Sequence, residues 1–269
     1  MIWLEGVSCQ LSGTVVVEAV TLGVASGELI VVEGPAASGK STLLEVAAVA
    51  RVPDAGAVWF AGRKLSTLQR ASLPYVRRNI GYCTTYPLLI PEDSVLANVM
   101  LALAVRGEAP PTAERLAREA LALVAIGDLA GRTVMSLSSG QKRLVALARA
   151  IAGPPPVVIA DEPGATSGDL ALQTVVHALA VARDHGAAVL CATANSMLAH
   201  ELVVIGGRRI HLAQGRIAGA PAIGLVPPAP QAPYDSEPSE IESAVARLVP
   251  LAVDDSDLPT SLPATKEPR

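Results

Sequence analysis

The fold of this chain is decided by the stretch Gly34-Pro35-Ala36-Ala37-Ser38-Gly39-Lys40-Ser41-Thr42. It matches the phosphate-binding pattern G-x-x-x-x-G-K-[ST]. The apolar, β-branched residues 29–33 before it are typical of a buried strand, and residues 42–50 after it predict a helix that ends before Pro53. A strand, a loop and a helix in this order surround a phosphate group with backbone N–H groups and the positive end of a helix dipole.

This loop predicts a nucleoside triphosphate as the ligand. Lys40 would reach the β- and γ-phosphates, and the Ser41 hydroxyl would bind Mg²⁺. The alternative is an ordinary glycine-containing surface turn. The strand before the loop and the helix after it favour the nucleotide site.

A second stretch with chemical content is Val157-Val158-Ile159-Ala160-Asp161-Glu162-Pro163. Its four apolar residues predict a central strand, and two carboxylates follow at the carboxyl end, where open α/β sheets bind ligands. Asp161 is the expected Mg²⁺ residue. Glu162 is the expected catalytic residue, orienting or deprotonating the attacking water. Taken alone, the pattern also fits a strand that ends in a solvated acidic turn.

The bulk properties of the chain exclude several classes of protein. The net charge of -4 over 269 residues, without a basic block, disfavours nucleic acid as a partner. No uncharged apolar run is long enough to predict a transmembrane helix, and no signal peptide is expected. The widely spaced Cys9, Cys83 and Cys191 suit a reduced compartment. A cytoplasmic location is therefore expected.

Alternating strands and helices predict a parallel sheet with helices on both faces. Residues 85–150 are expected to be mostly helical, with one helix at 94–105 and another at 112–126 that has Thr112 as its N-cap. Further strands are expected at residues 2–4, 14–24, 58–60, 187–193, 202–205 and 209–212.

The chain changes character after Gly219. Residues 227–233 are a proline-rich linker, and residues 236–269 are acidic, rich in Ser and Pro, and poor in aromatic residues. We therefore expect a folded domain at residues 1–219 and a largely disordered tail at 220–269.

The order of these motifs resembles that of an ABC-type ATPase. A phosphate-binding loop is followed by a helical region, by the signature-like Leu137-Ser138-Ser139-Gly140-Gln141, and then by residues 157–162. The resemblance implies an α/β P-loop NTPase fold with a mostly parallel sheet core, an N-terminal antiparallel β part and a helical signature subdomain at about 85–150. Residues 63–73, 76–81 and 161–163 look most like the cell-division ATPase of the FtsE type. Lipoprotein-releasing and macrolide-exporter ATPases are close alternatives.

The resemblance implies ATP and Mg²⁺ as cofactors and a dimer, homo- or heterodimeric, that sandwiches two ATP molecules head to tail. Ser138, Gly140 and Gln141 of one subunit would face the nucleotide that Lys40 of the other holds. The helical subdomain would contact an integral membrane, permease-like subunit and place the chain peripherally on the inner face of the cell membrane. Residues 86–91, an apolar loop flanked by prolines, are the expected contact.

The chain departs from the family pattern at Leu11, Thr85, Ser139, Gly168 and Ala194. Leu11 replaces an aromatic residue and is expected to contact the base without stacking. Thr85 replaces a glutamine that senses Mg²⁺, and we expect it to reach the site only through water. Ser139 replaces the first signature glycine, Gly168 an aspartate and Ala194 the switch histidine. Inside the phosphate-binding loop, Ala37 stands where the family often has another glycine.

These departures concern base contact, hydrolysis and signalling, whereas the residues that hold phosphate and Mg²⁺ are intact. Loss of a histidine that stabilises transition-state charge costs a rate factor of about 10² or more. We therefore expect ATP binding with slow hydrolysis. The alternatives are a divergent but working ATPase, and an inactive scaffold, regulatory module or non-catalytic half of a heterodimer. A small-molecule kinase is disfavoured because the signature stretch has no role there, and a DNA-repair ATPase because no heptad run is present.

Overall fold

The computed structural model describes residues 1–67, 72–164 and 169–218, without the side chains of residues 169 and 170. In this part of the chain the strands are β1 (Ile2–Leu11), β2 (Thr14–Val24), β3 (Leu29–Glu33), β4 (Ala55–Phe60), β5 (Arg63–Lys64), β6 (Ile80–Cys83), β7 (Val157–Asp161), β8 (Ala188–Thr193), β9 (Arg208–Ala213) and β10 (Arg216–Ile217). The α-helices are α1 (Lys40–Ala47), α2 (Leu73–Arg78), α3 (Val95–Val105), α4 (Pro110–Leu123), α5 (Ser139–Ile151), α6 (Asp169–Asp184) and α7 (Ser196–Val204). Gly168 and the predicted tail at 220–269 lie outside the described residues.

Two sheets confirm the expected division of the strands. The first has the order β2-β1-β4-β5 and is antiparallel throughout. The second has the order β10-β9-β3-β8-β7-β6, and all its neighbours are parallel except β9 and β10. This order brings the carboxyl ends of β3, β7 and β8 together at one edge, which is where ligands of open α/β sheets bind.

The six-stranded sheet is buried on both faces because its central strands are apolar at successive positions. In β3, Leu29 and Val31 pack on the side of α3 to α7, whereas Ile30 and Val32 pack on the side of α1 and the antiparallel sheet. All four are at most 1% exposed. A continuous apolar run without alternation is the expected pattern for such a strand.

The expected helical subdomain is formed by α3, α4 and α5. Ser94 is the N-cap of α3, and its Oγ accepts a hydrogen bond from the Ala97 N–H. The expectation that Thr112 caps the next helix is wrong, because α4 begins two residues earlier at Pro110 with Ala109 as its N-cap. Proline favours the first helical position, since its fixed φ suits a helix and its missing N–H is not needed there.

The expected strand at residues 202–205 is also wrong, because this segment ends helix α7. Asn195 caps α7, and its Oδ1 accepts hydrogen bonds from the N–H groups of Met197 and Leu198. Leu198 and Leu202, four residues apart, are fully buried on one face of the helix. An N-cap residue followed by apolar residues four positions apart is the pattern of an amphipathic helix.

Candidate nucleotide-binding site

The phosphate-binding loop connects β3 to α1 and is packed too closely for side chains at two of its glycines. A Cβ at Gly34 would lie 2.1 Å from the Leu212 carbonyl oxygen, and one at Gly39 would lie 2.2 Å from that of Val16. Gly39 also has a φ of 98° as the N-cap of α1. Ala37 has a φ of 60°, a region that costs an L-residue about 1–2 kcal/mol, so this position would suit glycine.

Lys40 lies inside this loop and is 6% exposed. Its Nζ donates hydrogen bonds of 2.8 Å to the carbonyl oxygens of Gly34 and Pro35, and it lies 3.8 Å from Glu162 Oε1. The Ser38 hydroxyl is buried without a hydrogen-bond partner in the described part of the chain. A buried ammonium group and an unpaired hydroxyl at a helix N-terminus fit a phosphate group.

Asp161 ends β7 and is 3% exposed. Its Oδ2 accepts a 2.7 Å hydrogen bond from Thr85 Oγ1, whereas its Oδ1 is buried with no hydrogen-bond partner among the described residues. A carboxylate oxygen without a protein partner suits a hydrated Mg²⁺, because proteins bind this ion through oxygen ligands such as carboxylates and water. The expectation that Thr85 reaches the site only through water is wrong with respect to Asp161, because the hydroxyl bonds this carboxylate directly.

Glu162 follows in a left-handed conformation, with a φ of 49°. Its Oε2 accepts a 3.0 Å hydrogen bond from Thr193 Oγ1, and its Oε1 accepts a 2.7 Å bond from the Ala194 N–H. The Ala194 side chain, where the family has its switch histidine, is exposed. The last residue of β8 and the first residue after it therefore bind the carboxylate, through the Thr193 hydroxyl and the Ala194 N–H.

Thr193 is a site residue that the sequence analysis missed. It is 1% exposed, and its hydroxyl also accepts a hydrogen bond from the Asn195 N–H at 3.0 Å. It can reach Glu162 because β7 and β8 are parallel neighbours with Asp161 opposite Ala192. The sequence does show a polar residue at the end of a buried strand. Without the order of the strands, however, it does not show that this residue lies beside Glu162.

The signature residues start helix α5. Ser138 and Gln141 form a capping box: Ser138 Oγ accepts from the Gln141 N–H at 3.2 Å, and Gln141 Oε1 accepts from the Ser138 N–H at 3.0 Å. Ser138 and Ser139 are exposed, and Gly140 is half-buried. This exposed helix N-terminus is available to a ligand bound by another molecule.

Leu11 and Ser41 complete the predicted set. Leu11 ends β1 opposite Thr14 and is 39% exposed. Ser41 and Thr42 follow Lys40 in the first turn of α1, with Ser41 exposed and Thr42 buried. Leu11 thus presents an apolar side chain without a ring at the surface.

The neighbouring ionisable side chains on β6 and β8 are neutral at physiological pH. Burial raises the pKa of the Cys83 thiol to about 12 and raises that of Cys191 well above its usual value. The pKa of Tyr82 is also raised, first by burial and then by the nearby Asp161 charge. These groups therefore stay protonated beside the site.

Together, the fold and these residues define a P-loop nucleotide-binding domain with a helical insertion. Comparisons with known proteins are more specific. The ABC transporter family model matches residues 17–165. The chain therefore belongs to the ABC transporter family, as an ATP-binding subunit.

Curated proteins similar to this chain include lipoprotein-releasing system ATP-binding proteins. The chain is 36% identical to LolD 2 of Caulobacter vibrioides over 186 residues, which is 68% of this chain and 82% of the relative. It is 35% identical to LolD of Bordetella avium over 204 residues, 75% of this chain and 87% of the relative. These relatives favour the lipoprotein-releasing alternative and do not support the FtsE type or a role in cell division.

The fold also agrees with solved structures. The dimeric structure of the bacterial ABC transporter cassette MJ0796 has a TM-score of 0.74 and 28% identity, covering 81% of this chain and 97% of that one. A post-hydrolysis dimer of the same cassette bound to ADP and phosphate has a TM-score of 0.74 and 27% identity, with the same coverage. In residues 1–67, 72–164 and 169–218, no helix combines the length and apolar character needed to cross a membrane.

Proposed function

We propose that this chain is the ATP-binding subunit of a transporter of the lipoprotein-releasing type, and that it dimerises on Mg·ATP and drives an integral membrane partner. The observation that carries this proposal is the convergence of Lys40, Asp161 and Glu162 beside the loop, where Ser38 Oγ and Asp161 Oδ1 are both buried without partners. Lys40 and the loop would hold the phosphates, and Ser41 with Asp161 would hold Mg²⁺. Bound Mg²⁺ would neutralise charge on the phosphate oxygens.

We infer that hydrolysis is slow. Glu162 has hydrogen-bond donors in Thr193 and Ala194 that hold its carboxylate, but position 194 has no imidazole to stabilise charge on the γ-phosphate. The substitution Ala194→His should therefore raise turnover about 10²-fold. Ala194→Asn is the matched control, because it adds a polar side chain that cannot carry a positive charge. Equal rates in all three proteins would refute the argument from the missing histidine.

The dimer would be formed head to tail, with the start of α5 of one subunit against the nucleotide of the other. Support comes from the exposed capping box at Ser138 and from the similarity to a cassette that is dimeric. Substitution of Ser138 tests this arrangement. Asp caps helices as well as Ser does, but the charge of an Asp at position 138 would face the γ-phosphate. Asn is the uncharged control with the same capping ability.

The experiment measures the mass of the chain by light scattering with Mg·ATP in the Glu162→Gln background. We expect dimers in this background and with Ser138→Asn, and monomers with Ser138→Asp and with Lys40→Ala. ATP binding to the Ser138→Asp monomer should be retained. Dimers with Ser138→Asp would contradict the head-to-tail arrangement.

The expected contact with the membrane partner is the loop of residues 86–91, here named the docking loop. Tyr86 is 82% exposed and Leu88 is 75% exposed, which makes them the apolar contact residues. Leu89 packs against the core, so its substitution would disturb the fold and is a poor test. An exposed apolar loop of this kind is typical of a protein interface.

A groove of about 300 Å³ adjoins this loop between α2, α3 and α5. Its lining includes Arg77 and Arg78 from α2, the apolar Leu101 and Val105 from α3, and Arg149 from α5. Arg149 donates a hydrogen bond to the Leu88 carbonyl oxygen, which ties the groove to the docking loop. This lining suits a helix that carries acidic and apolar residues.

The docking assignment is tested with the double substitution Tyr86→Asp and Leu88→Asp. We expect the variant to lose binding to the membrane partner while its ATP affinity stays unchanged. The control is Val52→Asp, since Val52 is 83% exposed and lies outside the loop and groove. Retained partner binding in the double variant would overturn the assignment.

The second candidate function is an ATP-dependent scaffold or the non-catalytic half of a heterodimer. The observation that favours it is Ala194, which leaves the γ-phosphate without the switch histidine. A lasting Mg·ATP dimer of the unmodified chain, without turnover, would support this candidate over the motor subunit.

A further inference from the structure

We propose that Thr85 is a positioning residue for Asp161, acting through the hydrogen bond that its hydroxyl donates to the carboxylate. This inference rests on the proposed function, since it takes Mg²⁺ to be held beside Asp161. Thr85 acts on the metal site through the Asp161 carboxylate and not as a ligand of the metal.

The sheet places the two side chains together. Strands β6 and β7 are parallel neighbours with Cys83 opposite Ala160, so the residues that follow each strand leave the sheet at the same edge. The Thr85 hydroxyl donates to Asp161 Oδ2 at 2.7 Å. Because Asp161 is nearly fully buried and its Oδ1 has no hydrogen-bond partner in the described part of the chain, this bond sets the orientation of the carboxylate and leaves one oxygen unpaired.

The docking loop begins at the residue after Thr85 and is held at both ends. Thr84 Oγ1 donates to the Tyr86 carbonyl oxygen at 2.6 Å. At the far end, the buried Asn98 side chain bonds both the N–H and the carbonyl oxygen of Ile90. Thr85 therefore lies between two residues that a hydrogen bond joins, in a segment that is also held at Ile90.

A threonine can do this without binding the metal itself. Partners that hydrogen-bond a metal-ligating carboxylate set its orientation, and their loss costs about 10- to 100-fold in metal affinity. Valine has nearly the same shape as threonine but cannot donate a hydrogen bond. Thr84 provides a matched control, because its hydroxyl lies one residue away and bonds the loop instead of Asp161.

The test measures ATP binding to the full chain by calorimetry, with Mg²⁺ and with excess EDTA. We expect Thr85→Val to weaken binding about 10- to 100-fold with Mg²⁺ and to leave binding in EDTA unchanged. Thr85→Ser and Thr84→Val should both bind as the unmodified chain does. Equal Mg²⁺ dependence in Thr85→Val and the unmodified chain, or an equal loss in Thr84→Val, would overturn the proposal.

A double-substitution cycle separates positioning from direct metal binding. If Thr85 acts through Asp161, then Thr85→Val has no effect on Mg²⁺ dependence in an Asp161→Asn background. A full effect in that background would overturn the proposal by making Thr85 an independent ligand. Thr85→Ala replaces the valine variant if the latter does not fold. Failure of the unmodified chain to bind ATP in either condition would instead refute the proposed function.

Discussion

The buried Asn98 side chain gives the most direct prediction about the stability of the docking loop and the helical subdomain. Asn98 lies in α3 and is 0% exposed. It accepts from the Ile90 N–H at 2.8 Å and donates to the carbonyl oxygens of Ile90 and Ser94 at 3.0 Å each. Three bonds at about 1 kcal/mol each give about 3 kcal/mol for Asn98→Ala. The Asn98 side chain is fully buried, and its removal leaves the Ile90 N–H without this partner.

The assay is urea denaturation followed by circular dichroism, which yields the free energy of unfolding. Asn79→Ala is the matched control, since the Asn79 amide donates a single exposed bond to the Tyr75 carbonyl oxygen. We expect the control to lose less than about 1 kcal/mol. If Asn98→Ala loses no more than Asn79→Ala, the claim that Asn98 holds the loop is refuted.

Three further predictions follow from the site. Thr193→Val should lower turnover about 10- to 100-fold with unchanged ATP affinity, because the charged Glu162 carboxylate loses a hydrogen bond. Thr193→Ser keeps the hydroxyl and should keep turnover. An equal loss in both variants would contradict this role of Thr193. Gly39→Ala should weaken ATP binding about 10- to 100-fold, because its Cβ would clash with the Val16 carbonyl oxygen and strain the loop. Gly62→Ala shares a positive φ, but its Cβ meets no atom within 4 Å, so it should keep ATP affinity; equal affinities would count against the close loop packing. Cys9, Cys83 and Cys191 are buried, and burial raises the pKa of each thiol, so that all three are protonated at pH 8. A thiol-reactive dye should therefore label them only after unfolding. Labelling of the native chain would contradict their burial.

The elements around the site could be predicted because each carries a local signal. The apolar runs at residues 29–33 and 157–160 indicated buried strands, and the glycines and lysine at 34–42 required a phosphate-binding loop. The signature residues were expected from the resemblance, and the structure places them at the start of α5. Local chemistry was therefore sufficient for the strands and the loop at the phosphate site, whereas the division into two sheets and a helical subdomain was expected from the resemblance.

The contacts within the site could not be predicted in the same way. The bond from Thr85 to Asp161 and the bond from Thr193 to Glu162 each join residues on neighbouring strands that are far apart in sequence. They depend on strand order and register, which the sequence pattern did not specify. The segment at 202–205 was misassigned for a related reason: a short apolar run fits both a strand and the buried face of a helix, and Asn195 as the N-cap was the deciding signal.

In the proposed function, the chain binds Mg·ATP at Lys40 but hydrolyses it slowly. The measurement that tests it most directly is ATP binding and ATP turnover by the same purified chain, with Lys40→Ala and Glu162→Gln as controls. We expect binding that Lys40→Ala abolishes, and slow turnover that Glu162→Gln removes. Absence of binding by the unmodified chain, or fast turnover that Ala194→His does not increase, would contradict it.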